Sequence, residues 1–494
     1  MRLLVALAAL ALASAAPAAA RPRAVAALTT RGAAALVRAI AEPRAAAFIA
    51  SVLPPTSYES ALIRISISPR ATAIALGDYA VALDPGRASI ATLTSNVTIT
   101  GSYRATLVGG AVLAGECTAT FTARVAAPFS SAVEAGRVVP RVPASAVAVA
   151  VELTTPVACN GLSGVALDVL ANHVFPQHVS ALLAEATKAE VVAAAADVAA
   201  AAAAAPILMP LDGPFFFHSG VQGTVLGANT STIRRAGRFK FAVRACGAPG
   251  TCDALAARLD GAVVLEDAVE PTDAPRELAL LPATALAFDA ALMLSDAALA
   301  SAGAALYRSG LAEAKFPGAV AGLPAILDTT SLGRALGAPG LPEKFGAHKP
   351  VALRLALASA PPVSATHGAF ASDVPVALDI LVGRRPAALA LRVGCTVRVA
   401  LTPHVRAAAG GAVLGGALSW APDACNATLL YTSVGDVEKV GVLVAALSIV
   451  VDDVILPIAS KKVAAAAYAL PFAEAAIDVE GGVVALVGNF TASA

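Results

Sequence analysis

One plan is written twice along this chain, and that repetition limits the folds open to it more than any single motif does. Each half, 28–205 and 286–490, has an apolar helical stretch near its start, runs through alternating strands and returns to a long apolar helix. A helix with one apolar stripe and strands with one apolar face must bury those surfaces against each other. Two such units in series make an α+β chain of two cores, and 494 residues are enough for both.

In the first half, Thr29 and Thr30 stand as capping residues before a helix that carries Leu36, Val37, Ile40, Phe48 and Val52. Pro43 is expected to kink this helix, and Pro54 and Pro55 to end it. Ile63, Ile65 and Ile67 then alternate with Arg64, Ser66 and Ser68, the period-two sign of a strand with one buried face. Val97 and Ile99, then Cys117, Ala119 and Phe121, then Val147, Val149 and Val151 repeat the pattern. A helix is expected over 162–204, with Leu167, Leu170, Val174 and Leu182 as its larger apolar residues. Pro176 should bend or break it, and Pro206 stops it. Phe239 and Phe241 flank Lys240 in a mixed, strand-like segment, and the proline-rich polar stretch 266–282 reads as the linker between halves.

The second half begins with a strand over 285–294. Ser295 is a good N-cap for a helix bearing Leu299, Leu306 and Tyr307. Leu353, Leu355 and Leu357 alternate around Arg354, and further strands fall over 374–381 and 393–399. The late helix, 436–460, carries Leu443, Leu447, Val451 and Ile455, and a last strand is expected over 476–490.

Hydrophobic residues make up 57% of the chain and charged residues 14%, against the roughly 25% charged of ordinary soluble domains. Alanine supplies much of the excess. Compositional bias explains that simply; the functional alternative is that small side chains leave room along a cavity wall. The net charge is +1, and over 28–205 about eleven Arg and Lys face about eleven Asp and Glu with no block of either sign. Nucleic acid is therefore not an expected partner, because phosphate binding needs a clustered basic face. Binding an anionic surface mainly by charge is disfavoured for the same reason.

Arg2, the apolar run 3–13 and the small residues from Ser14 onward form a secretory leader over 1–20, cleaved near Ala16 or Ala20. Of the later apolar stretches, 441–458 comes closest to a membrane span, but Asp452 and Asp453 interrupt it. Six cysteines in a secreted chain suggest disulfides. Their order offers the near pairs Cys117 with Cys159, Cys246 with Cys252 and Cys395 with Cys425, while leaving connectivity open. Asn96, Asn229, Asn426 and Asn489 each begin an N-x-Ser/Thr acceptor, so all four are expected at the surface of a glycoprotein.

No catalytic signature competes. There is no G-x-S-x-G nucleophile elbow, P-loop or dinucleotide loop. No cysteine pair has zinc-ligand spacing. His173 and His178 are five apart and lie on different helix faces, while adjacent Asp452 and Asp453 point apart. An enzyme is not expected, nor is a cofactor or metal.

Short matches in the right order resemble a known family. Leu294, Ser295 and Asp296 are followed by Gly303, Tyr307 and Gly310. Ser359, Ala360, Pro361 and Pro362 follow an alternating strand, Ala469, Leu470 and Pro471 precede the final one, and the segment 28–32 is similar to the family's opening. The family is that of the secreted lipid-binding proteins, which includes bactericidal/permeability-increasing protein, lipopolysaccharide-binding protein and the phospholipid and cholesteryl-ester transfer proteins.

The resemblance implies an elongated two-barrel boomerang, each barrel a twisted antiparallel sheet wrapped on a long helix, the two joined by a central sheet. Residues 24–265 would form the first barrel with central-sheet strands, and 283–494 the second. It implies lipid-binding pockets lined in the first barrel by Leu36, Ile40, Phe48, Val52, Ile63, Ile65, Ile67, Leu167, Leu170 and Val174. In the second barrel the lining would be Leu299, Leu306, Leu353, Leu355, Leu447, Val451 and Ile455. Periodicity alone assigns each of these only to an apolar face, where dry core is the simpler reading. The expected partner is phospholipid or another amphiphilic lipid, with transient contact at a membrane surface; oligomeric state is left open. The expected role is secreted lipid binding or transfer, the alternative being recognition of bacterial envelope lipid. Two departures stand out: Cys159 precedes the long helix that carries the family's disulfide, and the basic tip of the lipopolysaccharide binders is missing.

Overall fold

The computed structural model describes residues 24–490 except 50–52, 60–62, 85–88, 108–109, 136, 161–169, 206–207, 211–214, 219–220, 229–233, 236–237, 240–243, 246–253, 260–261, 266–287, 317–327, 384–386, 409–410, 421–424, 426–427 and 471. The leader, the 266–282 linker, Val52, Leu167, Phe241, the Cys246 and Cys252 pair, Asn229 and Asn426 lie outside the described residues.

The chain enters through β1 (Ala24–Thr29) and turns at once into α1 (Thr30–Ile49). Thr29 is the cap: its Oγ1 accepts from the Gly32 N–H at 3.0 Å. The helix runs on through Pro43 to its end. After β2 (Thr56–Glu59) come three long antiparallel strands, β3 (Ile63–Ala82), β4 (Ser89–Leu107) and β5 (Val112–Glu134). β5 also pairs with β6 (Arg137–Arg141), β7 (Ala148–Leu153) and β8 (Ala158–Cys159), giving a seven-stranded sheet. The expected alternation holds at the start of β3, where Ile63, Ile65 and Ile67 are buried and Arg64, Ser66 and Ser68 exposed.

A π-helical turn, Leu170–Val174, leads into α2 (Phe175–Ala204). Of the bend or break expected at Pro176, the break does not occur. Pro176 lies in the first turn of α2, and the wider π-helical turn directly before it accommodates the proline ring and its missing N–H. The far end of α2 is held by Arg137 of β6, whose Nε donates to the Ala205 carbonyl at 2.8 Å.

The central sheet has seven strands. In order they are Arg244–Ala245, β9 (Val221–Ala228), β10 (Ala254–Leu259), β1, β11 (Ala290–Ser295), and then the last two strands of the chain. Both halves thus share one set of backbone hydrogen bonds. From β11 the chain enters α3 (Asp296–Ser309), capped by Ser295 as expected, with Gly310 in the left-handed conformation at its end.

The second barrel is an eight-stranded sheet built on β12 (Val351–Leu357), β13 (Ala369–Val382), β14 (Ala388–Ala408) and β15 (Gly411–Trp420). Its late helix repeats the device of α2: α4 (Val440–Ile449), a π-helical turn Val450–Ile455, then α5 (Leu456–Ala465) with Pro457 in its first turn. The stretch Gly441–Ala465 is long and apolar enough to cross a membrane by length and composition, yet Leu443, Leu447 and Val451 on it are buried in the barrel core. The strand expected over 476–490 is a hairpin, β16 (Glu474–Glu480) and β17 (Val483–Asn489). Gly481 and Gly482 turn it with φ of 61° and 87°, a two-residue turn that residues with a Cβ rarely make.

Asp289 ties the two halves together. Its carbonyl accepts from Thr29 N at 3.1 Å, its N–H donates to the Gly488 carbonyl at 3.1 Å, and its Oδ2 accepts from Phe490 N at 2.9 Å. Two of the cysteine pairs are disulfides. Cys117–Cys159 joins β5 to β8 just ahead of the long helix, and Cys395 on β14 joins Cys425. Asn96 is exposed on β4. Asn489 is not: it is half-buried, and its Oδ1 accepts from Asp289 N at 3.2 Å because β17 ends against that junction.

Candidate functional site

α1 crosses the first sheet along β3, and α2 crosses it along β6 and β7. Between the two helices and the sheet lies a cavity of about 250 Å³. Its walls follow from periodicity. α1 presents Leu36, Ile40 and Phe48 with Ala33, Val37 and Ala41, a stripe at helical spacing. α2 presents Thr187, Val191, Ala194, Ala195 and Val198, and the small alanine side chains there leave space unfilled. The sheet supplies Val97 and Leu93 from β4, with Val125 and Phe129 from β5.

β3 contributes Ile74, Leu76 and Val81, three residues that sequence reasoning missed. The register of β3 on β4 shifts between Ala71 and Ala73 and again between Leu76 and Tyr79. Each irregularity reverses which parity points inward, so the inward face passes from odd residues to even and back to odd. The signal was present in the Gly77-Asp78 break between two short alternating runs.

Both ends of the cavity are closed by packed side chains. At one end Ile65, Ile67, Phe121, Val174, Phe175 and Leu183 form a dry core, and Gly101 admits the Phe175 ring: a Cβ there would lie 2.9 Å from it. At the other end Leu36 and Phe129 pack with Leu28 and Ala290 of the central sheet. Ile63, Ile65, Ile67 and Val174 are therefore core rather than lining, and Leu170 begins the π-helical turn.

Two ionisable residues line the cavity, Arg44 of α1 and Glu190 of α2. Arg44 Nη1 donates to Glu190 Oε1 at 2.5 Å, and its Nη2 donates to Asp197 Oδ2 two turns further along the same helix. These contacts bridge the helices across the cavity's polar edge. On β3, the Tyr79 hydroxyl is buried with no hydrogen-bond partner. Burial first, and the Glu42 carboxylate second, push its pKa above the ordinary phenol value, so it stays neutral.

The second-barrel residues expected to line a pocket are placed differently. Leu353, Leu355, Leu447 and Val451 are buried together with Ile380 and Leu391, and Ile455 packs against them. Leu299 packs beneath α3 beside Ala365 and Val484. Leu306 is 37% exposed on α3 and faces away from that core. In this barrel the apolar faces meet one another.

No family model and no curated protein matches the sequence. Among solved structures, the crystal structure of lipopolysaccharide binding protein aligns over 95% of this chain and 99% of that one, with a TM-score of 0.53 at 15% identity. The two share a fold. It is the α+β boomerang of two curled antiparallel sheets. P47 of Clostridium botulinum E1 (TM-score 0.26, 8% identity, 96% of this chain and 100% of that one) also matches. So does Takeout 1 of Epiphyas postvittana (0.20, 12%, 33% and 87%).

Proposed function

We propose that this chain is a secreted, non-enzymatic lipid-binding or lipid-transfer glycoprotein that holds an acyl chain in the first-barrel cavity. The carrying observation is the cavity itself, bounded by two helix stripes and a curled sheet and lined almost wholly by aliphatic side chains. Each methylene moved from water into such a site contributes about 0.8 kcal/mol, so a chain of about fourteen carbons gains on the order of 10 kcal/mol as an upper bound. A basic residue near an anionic surface contributes only about 1 kcal/mol. With net charge +1, apolar capture outweighs attraction by charge. The shared fold and the two disulfides support an extracellular carrier.

The test is a lipid inventory. Protein purified from a secreting host is examined by native mass spectrometry and then offered a fluorescent phospholipid. Bound lipid, or uptake insensitive to salt, is expected. An empty protein that also takes up no lipid refutes the reading, and uptake of lipopolysaccharide that collapses with salt would replace it with envelope recognition.

A further inference from the structure

We infer that the first-barrel cavity takes one hydrocarbon chain, and that Glu190 and Asp197, set around Arg44, select an uncharged or zwitterionic head group over an anionic one. This rests on the lipid-binding reading above and narrows the ligand to a class.

Size argues for one chain. From Ala33 to Phe48 the α1 wall runs about 22 Å, and from Thr187 to Val198 the α2 wall runs about 16 Å, at the rise of an α-helix. One leaflet of a bilayer, half of its roughly 30 Å hydrocarbon core, is about 15 Å deep, so a single extended acyl chain matches the shorter wall. The cavity of about 250 Å³ falls just under the roughly 300–1,000 Å³ of drug-sized ligand pockets, which favours one chain over two. Packed core closes both ends, with Phe175 at one and Phe129 at the other, so the chain cannot extend past them.

Charge argues for the head group. The polar groups at the interhelical edge are Arg44, Glu190 and Thr187, with the more exposed Asp197, two turns further along α2, reaching Arg44 as well. Both terminal nitrogens of Arg44 are already engaged by carboxylates. One cation faces two anions, so the edge carries a net charge of −1. An ionised fatty acid or phosphate monoester arriving there meets like charge and must displace a carboxylate to reach the guanidinium. A hydroxyl head group meets no such barrier. A choline-bearing head group sets its cation against Glu190 and Asp197, which offsets the like charge of its own phosphate.

The experiment measures displacement of the neutral dye Nile red from the full-length protein at pH 8 by three ligands with 14-carbon chains: lysophosphatidylcholine, the ionised fatty acid and diacyl phosphatidylcholine. Lysophosphatidylcholine is expected to bind at least tenfold tighter than either of the others. The double variant Glu190→Gln, Asp197→Asn is expected to bring the fatty acid within threefold of it, and where that variant does not fold the wild-type ratios decide. Equal binding of the fatty acid overturns the head-group assignment. Equal or tighter binding of the diacyl lipid overturns the single-chain assignment. Either result leaves the cavity a lipid site, whereas failure of all three ligands to bind refutes the underlying reading as well.

Discussion

Ala194→Leu separates a cavity from a dry core by the sign of its effect. Ala194 lines the cavity from α2, so a larger side chain there enters open space. The substitution buries three further carbons, worth about 2.4 kcal/mol at 0.8 kcal/mol each. Ordering a leucine side chain removes about 0.5–1 kcal/mol of that. A net gain of about 1.5–2 kcal/mol raises the first-barrel transition by about 3–8 °C for a unit of this size. Ala390 gives the contrast: it is fully buried in the packed second-barrel core, where an extra isopropyl group forces neighbours aside at a cost of about 1–3 kcal/mol. The assay is a thermal melt of both variants beside wild type, followed by lipid uptake. Ala194→Leu should melt higher and bind lipid at least tenfold more weakly, while Ala390→Leu should melt lower with first-barrel uptake intact. A lower melting temperature for Ala194→Leu, or undiminished uptake, refutes the cavity argument.

Gly32→Ala is expected to destabilise the chain by about 3 kcal/mol despite the roughly 1 kcal/mol that alanine adds to a helix, since the new Cβ would lie 1.9 Å from the Asp289 carbonyl oxygen that both halves hold in place. Gly441→Ala in the late helix, where nothing lies within 4 Å, serves as the control in the same circular-dichroism melt and is expected to hold or raise stability, by at most about 1 kcal/mol. Asp379, 1% exposed, receives hydrogen bonds from Arg392 and Arg354. Burial pushes its pKa up, but the two guanidiniums outweigh that and hold it below the ordinary carboxylate value. Its contribution is therefore present above the unfolded value of about 3.9 and lost as pH falls through the lower folded one. Asp379→Asn should lower stability at pH 7 by about 3 kcal/mol and flatten the acid limb of a melting curve taken from pH 7 to pH 2; an unchanged acid limb would show that the cluster is not coupled to folding.

Much of the fold was legible because it depends on near neighbours. The caps at Thr29 and Ser295, the alternation from Ile63 to Ile67 and both late helices are local patterns, and local physics produces them. Pro176 does not break its helix because the turn before it is already widened, which no local pattern announces. The final hairpin was missed because Gly481 and Gly482 sit between two runs that alternate alike.

By itself, the sequence determined two helix-on-sheet units with buried faces, since period and capping act over a few residues. Only the tertiary structure decided which buried faces meet each other and which face a space. The same kind of apolar stripe is closed core on α4, packed against Leu332, Leu336 and Leu341, and cavity wall on α1, where small α2 side chains face it. Two bulges in β3 chose Ile74, Leu76 and Val81 as lining, and the fold brought Arg44 to Glu190 across 146 residues of chain. Those outcomes depend on distances between elements, which no local pattern encodes.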